Sequence, residues 1–325
     1  MNITGYEKHI KEFGRQLSFE HIETHHLDGL RGNHTPEEIV VCGMGGSGLS
    51  AKILQLLSKE LEIPARITAH KEYGIPEYAN KNTFFIFSSF SGETEETLSG
   101  LAQALREKKR VAIVTTGGTL KEIAEKNHIP YALFPNDGLT PREALGYNLY
   151  SVLSLLRVYF PKIAAASLSS CVFPRSLKTQ GKALAGKIKE RISLLYAENA
   201  FSGILDVWKV NLNETAKQYA FVNHIPEMNH NEIMATGNVK NMTAIFLEDK
   251  NANATIQKRV RLSKKIYVTQ KIPTITIPLS GKTLQERVWR SVILSHWTSF
   301  FIAQKRNIDP SKTERLEKFK KGLRK

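Results

Sequence analysis

Residues 82–97 read NTFFIFSSFSGETEET. The run Phe84-Phe85-Ile86-Phe87 is continuously apolar, as in a strand buried on both faces of a parallel sheet. It ends in five hydroxyl side chains, Ser88, Ser89, Ser91, Thr94 and Thr97, crowded around Gly92. Residues 98–109, LSGLAQALREKK, then take up helical spacing. Strand, hydroxyl loop and helix in that order point to an α/β layer, in which ligands bind at the carboxyl edge of the strands.

The alternation extends on both sides of this stretch. EIVVCGM (38–44) reads as a strand and is followed by a helix through GLSAKILQLLSKEL. ARITAH (65–70), RVAIVTT (110–116) and IPYALFP (129–135) read as further strands, with LKEIAEKN as a helix behind the second of them. Residues 141–160, PREALGYNLYSVLSLLRVYF, read as a helix packed on that layer, and KIAAASLSSCVFPRS (162–176) as a linker. The second half repeats the pattern less regularly. A helix is expected over 176–198, strands over 201–207, 219–225, 243–248 and 274–279, a long apolar helix over 283–306 and an amphipathic helix over 311–323. Two α/β domains follow, residues 1–153 and 154–325, each a parallel sheet flanked by helices.

Why the hydroxyls? A helix N-terminus offers free N–H groups and positive partial charge, which suit a phosphate. Hydroxyls add neutral donors. Plain capping by Ser91 or Thr94 is the alternative, with Glu95 and Glu96 in the first turn. A cap needs one hydroxyl and five are present, whereas Glu93, Glu95 and Glu96 suit an anion site only if they point away. The turn GMGGSG (43–48) satisfies G-x-G-x-x-G, the dinucleotide fingerprint. The acidic residue that fingerprint expects at the end of the next strand is replaced by His70-Lys71.

Lys plus Arg total 46 and Asp plus Glu 31, a net charge of +15 that favours anionic partners without choosing among them. No aromatic-basic pattern of an RNA-binding sheet and no zinc-finger spacing occurs, so no nucleic-acid partner is expected. Two cysteines, Cys42 and Cys171, make no disulfide framework. The first residues, MNITGYEKHIKEFG, lack the apolar core of a signal peptide, and 151–169 is interrupted by Arg157, Pro161 and Lys162. A cytoplasmic protein with no membrane partner is expected.

Gly43–Gly48 together with Ser89-Phe90-Ser91-Gly92-Glu93-Thr94-Glu95-Glu96 resembles the sugar isomerase (SIS) domain, whose loop usually reads S-Y-S-G-N-T-E-E. Phe90 and Glu93 depart from it. PREALGY (141–147), NETAK (213–217), PEMNHNEI (226–233) and DPSKTERLEKFKKGL (309–323) are similar to the bifunctional phosphoglucose/phosphomannose isomerases. The resemblance runs from about residue 35 to the end of the sequence, and implies two SIS-type domains of flavodoxin-like build. It also implies a homodimer, sugar phosphates as substrates (fructose 6-phosphate, glucose 6-phosphate and mannose 6-phosphate), and neither metal nor cofactor.

Carried over by position, Ser89, Ser91 and Thr94 hold the phosphate, and Gly45, Gly46 and Ser47 line the sugar. Arg142 lies beside the reacting carbons. Glu214 is the base. His230 assists ring opening and comes from the partner subunit. Thr313 and Lys320 complete the site, although the family's usual D-P-T-P-V before the last helix is here Asp309-Pro310-Ser311-Lys312-Thr313.

The chemistry accords with these residue types. A histidine with a pKa near neutrality can shuttle the ring-opening proton. A carboxylate can carry a proton between C2 and C1. A permanent guanidinium can stabilise the enediolate. Other readings stand beside these. Glu214 could be a surface carboxylate, Arg142 a structural cap and Lys320 a solvated lysine; His224, Glu227, His230 and Glu232 could gather round zinc, at a spacing that fits no familiar motif.

Overall fold

The computed structural model describes residues 3–32, 34–165, 174–237 and 240–323. Cys171 and most of the expected linker lie outside them. The chain divides into two compact units, residues 12–172 with 283–285, and residues 1–11 with 173–282 and 286–325. Residues 153 and 154, where the change of domain is expected, lie inside a helix.

Helix α1 (Ile3–Lys11) belongs to the later unit. The earlier unit holds strands β1 (Glu23–His25), β2 (Glu38–Cys42), β3 (Arg66–His70), β4 (Thr83–Ser89), β5 (Arg110–Thr115) and β6 (Tyr131–Leu133). Their order is β1-β6-β5-β4-β2-β3, and every pairing is parallel except β1 with β6. All seven residues of β4 are buried, which is why its sequence is continuously apolar rather than alternating. Helices α2 (Leu49–Leu57), α3 (Glu95–Arg106) and α4 (Gly118–Lys126) connect the parallel strands, and α5 (Leu145–Leu156), buried along its whole length, follows β6.

The strand order positions the site. From β2 the chain crosses to β3 on one side. The next strand, β4, pairs on the other side of β2, and β5 and β6 continue outward from it. The two connections therefore run in opposite directions and leave a crevice at the carboxyl ends of β2 and β4. The turn 43–48 and the loop 90–94 both open there.

In the later unit α6 (Ser176–Ile188) precedes β7 (Ile192–Glu198), α7 (Ser202–Val210), β8 (Ala220–Ile225), β9 (Met242–Glu248), α8 (Ala254–Thr269), β10 (Thr274–Pro278), α9 (Leu284–Lys305) and α10 (Glu314–Leu323). The sheet order is β10-β9-β7-β8, parallel throughout, with the same reversal between β7 and β9. Helix α1 packs here: Tyr6 is buried and stacks on Phe300 at 6.1 Å, and Glu7 pairs with Lys178 at 2.8 Å.

The structure corrects four details. The helix expected over 176–198 stops at Ile188, and 192–198 is strand β7. The break falls at Lys189, whose backbone takes a positive φ of 56°. The strand expected over 201–207 is helix α7, because Ile204, Leu205, Val207 and Trp208 are buried on one continuing helical face. Strand β1, three residues long, precedes the segment at 38 and is too short for a pattern reading. Helix α8 escapes a pattern reading because its buried positions include Ser263, which dilutes the apolar stripe.

Candidate active site

In the earlier unit the loop after β4 is tied by its own hydroxyls. Ser89 Oγ lies 2.8 Å from Thr94 Oγ1 and accepts from the Gly92 N–H at 3.1 Å. Thr94 stands at the N-terminus of α3, yet its side chain makes no capping hydrogen bond. Its hydroxyl is turned to Ser89, leaving the first-turn N–H groups of α3 uncapped by it. Ser91 is exposed, and its Oγ accepts from Glu93 N at 3.2 Å. Capping thus accounts for neither Ser89 nor Thr94.

The acidic residues point elsewhere. The Glu93 carboxylate accepts from Thr119 N at 2.7 Å and from Thr119 Oγ1 at 3.0 Å, at the start of α4. Glu95 and Glu96 neighbour Tyr73, whose phenol is pushed up by desolvation and then by their charges.

The glycine turn faces this loop. Ser47 Oγ accepts from the Phe90 N–H at 3.0 Å, so Ser47 fastens the two together. Gly45 is exposed at the tip of the turn. Gly46 is needed for contact: a Cβ there would stand 2.6 Å from Pro141 C and 2.7 Å from Arg142 N. The segment before α5 therefore lies against the turn, and Arg142, only 2% exposed, is held beside it. Two partners that the sequence reading did not single out complete the frame. Glu143 accepts from Thr140 N at 2.9 Å and Thr140 Oγ1 at 2.7 Å, a local capping arrangement. Asn148 Nδ2 donates to Ser88 Oγ at 2.8 Å, joining α5 to the end of β4.

In the later unit Glu214 lies in a single π-helical turn, Asn211–Thr215, at the end of α7. Such turns occur often at functional sites. This one is anchored by buried polar contacts to α9 and α1. Trp208 Nε1 donates to Ser291 Oγ at 3.0 Å, and Asn211 Nδ2 to Ser295 Oγ at 2.7 Å. Thr215 Oγ1 lies 2.9 Å from Tyr6 Oη, which is 3.1 Å from His296 Nδ1. Glu214 itself is half-buried.

His230 ends a short helical turn, Glu227–His230, after β8. Its neighbours fasten the turn inward. Met228 is fully buried, Asn229 Nδ2 donates to Ser263 Oγ at 2.7 Å, and Glu232 accepts from Tyr196 Oη at 2.8 Å and Asn223 Nδ2 at 2.7 Å. Burial, then the adjacent Tyr267 hydroxyl, pushes the Tyr196 phenol up, so it stays a donor to Glu232. The His230 side chain is left exposed. Thr313 Oγ1 donates to Glu317 Oε1 at 2.8 Å at the start of α10, and Lys320 is exposed on that helix. The earlier unit thus gathers Gly45, Gly46, Ser47, Ser89, Ser91, Thr94 and Arg142; the later unit carries Glu214, His230, Thr313 and Lys320.

Residues 177–323 match the family model for the bacterial phospho-glucose isomerase C-terminal SIS domain. A bifunctional phosphoglucose/phosphomannose isomerase of Thermoplasma acidophilum is 30% identical over 321 residues, 97% of this chain and 98% of that one. Another, of Aquifex aeolicus, is 29% identical over 290 residues, 88% of this chain and 90% of that one. In fold, a hypothetical protein of Thermus thermophilus superposes with a TM-score of 0.74 at 14% identity, covering 99% of this chain and 89% of that one.

Proposed function

The chain belongs to the bifunctional phosphoglucose/phosphomannose isomerase family, and from that premise we propose that it interconverts fructose 6-phosphate with glucose 6-phosphate and mannose 6-phosphate through an enediolate. The observation that carries the reading is the Ser89–Thr94 pair, 2.8 Å apart at the crevice of the first sheet and not used in capping. With the N-terminus of α3 it presents hydroxyl and N–H donors to a phosphate. A phosphate held there anchors the sugar so that its carbons are presented in a fixed orientation.

The proposed roles follow. Ser89, Ser91 and Thr94 bind the phosphate, and Gly45, Gly46 and Ser47 pass along the sugar. Arg142 supports the enediolate oxygens with the paired N–H donors of its guanidinium. Glu214 moves the proton between C1 and C2. Lys320 completes the catalytic set, and Thr313 binds the substrate. Glucose 6-phosphate and mannose 6-phosphate differ only at C2, which is planar in the enediolate, so one base serves both if it meets either face of that carbon.

A second copy of the chain is the proposed partner, with His230 acting on the ring oxygen of sugar bound by that copy. Its exposure supports this, as do Phe221 on the edge strand β8 and Tyr219 just before it, both exposed and stacked at 6.3 Å. We place the activity in the cytoplasm; no described helix is long and apolar enough to cross a membrane.

The test is to incubate the protein with fructose 6-phosphate and EDTA in D₂O and follow products by NMR. Both aldose phosphates are expected, deuterated at C2, and Glu214→Gln is expected to abolish them. Binding of fructose 6-phosphate without turnover would overturn the proposal in favour of a sensing role.

A further inference from the structure

We propose that Lys217 is a positioning residue that latches the turn bearing Glu214 to the root of helix α10. This rests on the isomerase reading of Glu214, Thr313 and Lys320. Lys217 follows the π-helical turn in the left-handed conformation, φ 53°. Its Nζ donates to the Glu214 carbonyl and, at 2.6 Å, to the Lys312 carbonyl. An ammonium carries three N–H donors and no acceptor, so one group can hold two carbonyls together. A carbonyl at the end of a helical turn has no intrahelical donor, which makes it a natural partner for a lysine.

The surroundings say why the latch matters. The turn itself is held from other directions: Arg306 Nη1 donates to the Ala216 carbonyl at 2.9 Å, and Asn213 Oδ1 accepts from Ala220 N at 2.9 Å. Helix α10 is not. None of its ten residues is buried, and Leu316, Phe319 and Leu323 are 45%, 64% and 53% exposed. A helix with no packed face is placed by whatever holds its root. Lys312 stands two residues before α10 begins and one before Thr313. Together with the buried Pro310, Lys217 therefore helps to set where Thr313 and Lys320 lie relative to Glu214, without itself touching substrate.

Lys217→Met keeps the stem and removes the donors; Lys217→Arg restores them. The first readout needs no activity: the rate of tryptic cleavage after Lys312 in the full chain, followed by mass spectrometry. Native-state cleavage reports local opening. Loss of the charged hydrogen bonds is expected to speed it about tenfold or more in Lys217→Met, with cleavage at the lysines of α8 unchanged. The second readout is steady-state isomerisation, with kcat expected to fall about tenfold and Lys217→Arg to recover most of both effects. The proposal is overturned by wild-type cleavage in Lys217→Met, by equal acceleration in α8, or by a Lys217→Arg chain that regains protection but not turnover. If the wild-type chain does not isomerise, the functional reading falls, and the cleavage rates still decide the latch.

Discussion

The Tyr6 hydroxyl lies 2.9 Å from Thr215 Oγ1, so a residue of the first helix supports the turn that carries Glu214. The same hydroxyl is 3.1 Å from His296 Nδ1, and all three side chains are buried. Tyr6→Phe keeps the stack on Phe300 but deprives two buried groups of a partner. It is expected to destabilise the protein by about 1–2 kcal/mol, with kcat reduced further than KM is raised. Urea unfolding beside steady-state kinetics checks both.

Ser89→Ala and Thr94→Val are each expected to raise KM for fructose 6-phosphate roughly tenfold or more, the usual worth of a hydrogen bond to a charged group being about 1.5–3 kcal/mol. Because the two hydroxyls are in contact, the double variant should lose less than the product of the single effects. The inhibition constant of inorganic phosphate, measured on all four proteins, should move in parallel with KM. Independent effects would show that the hydroxyls serve separate ends.

Glu93→Gln should leave phosphate affinity within about threefold of wild type. Its carboxylate is occupied at the start of α4 by Thr119 and does not face the loop. The expected cost is a small loss of stability, about 0.5–1 kcal/mol, from weakening a charged acceptor at a helix N-terminus. A large gain in phosphate affinity would mean that the glutamate repels the ligand, against this geometry.

His230→Asn should change the unfolding midpoint little, since the side chain is exposed, and surface changes usually stay within about 0.5 kcal/mol. Its effect should fall on chemistry. Turnover of the cyclic aldose phosphates should drop by about tenfold to a hundredfold or more. Mixing this variant with Glu214→Gln chains should restore part of the activity if the imidazole serves the partner's site.

Glu198, at the carboxyl end of β7, has its pKa raised by burial and then by the charge of Asp249. A carboxyl whose folded pKa lies above its unfolded value favours folding most below the unfolded value, and this contribution is lost as pH rises through the folded one. Glu198→Gln is therefore expected to stabilise the protein at neutral pH. It should also remove part of the fall in stability as pH rises through the weakly acidic range. Urea midpoints at a series of pH values test the sign.

Much of the first sheet was legible because burial on both faces leaves a continuous apolar run. Ile39, Val40, Val41 and Phe84–Phe87 show it, each fully buried. The hydroxyl loop was legible as a cluster too rich for one cap. Elsewhere the local signals failed for identifiable reasons. The break after Ile188 rests on one lysine with a positive φ. The stripe of α8 passes through a buried serine bonded to Asn229. The segment 202–210 is short enough that its apolar residues suit either a strand or a helix.

By itself the sequence determined the α/β class, the parallel strands of the first sheet, the hydroxyl-rich loop after β4 and, through its motifs, the family. These depend on side-chain chemistry, on short continuous apolar runs and on helical spacing, which are local properties of a chain. Only the tertiary structure decided that Thr94 turns to Ser89 instead of capping, that Glu93 turns to Thr119, and that Glu214 rides on a π-helical turn supported by Tyr6 and tied by Lys217. Each of these is a choice among hydrogen-bond partners. A hydroxyl, a carboxylate or an ammonium accepts many partners, and which one it takes depends on what folding brings within about 3 Å. Residues 6 and 215, or 217 and 312, meet only once the chain has folded, and no local pattern encodes that meeting.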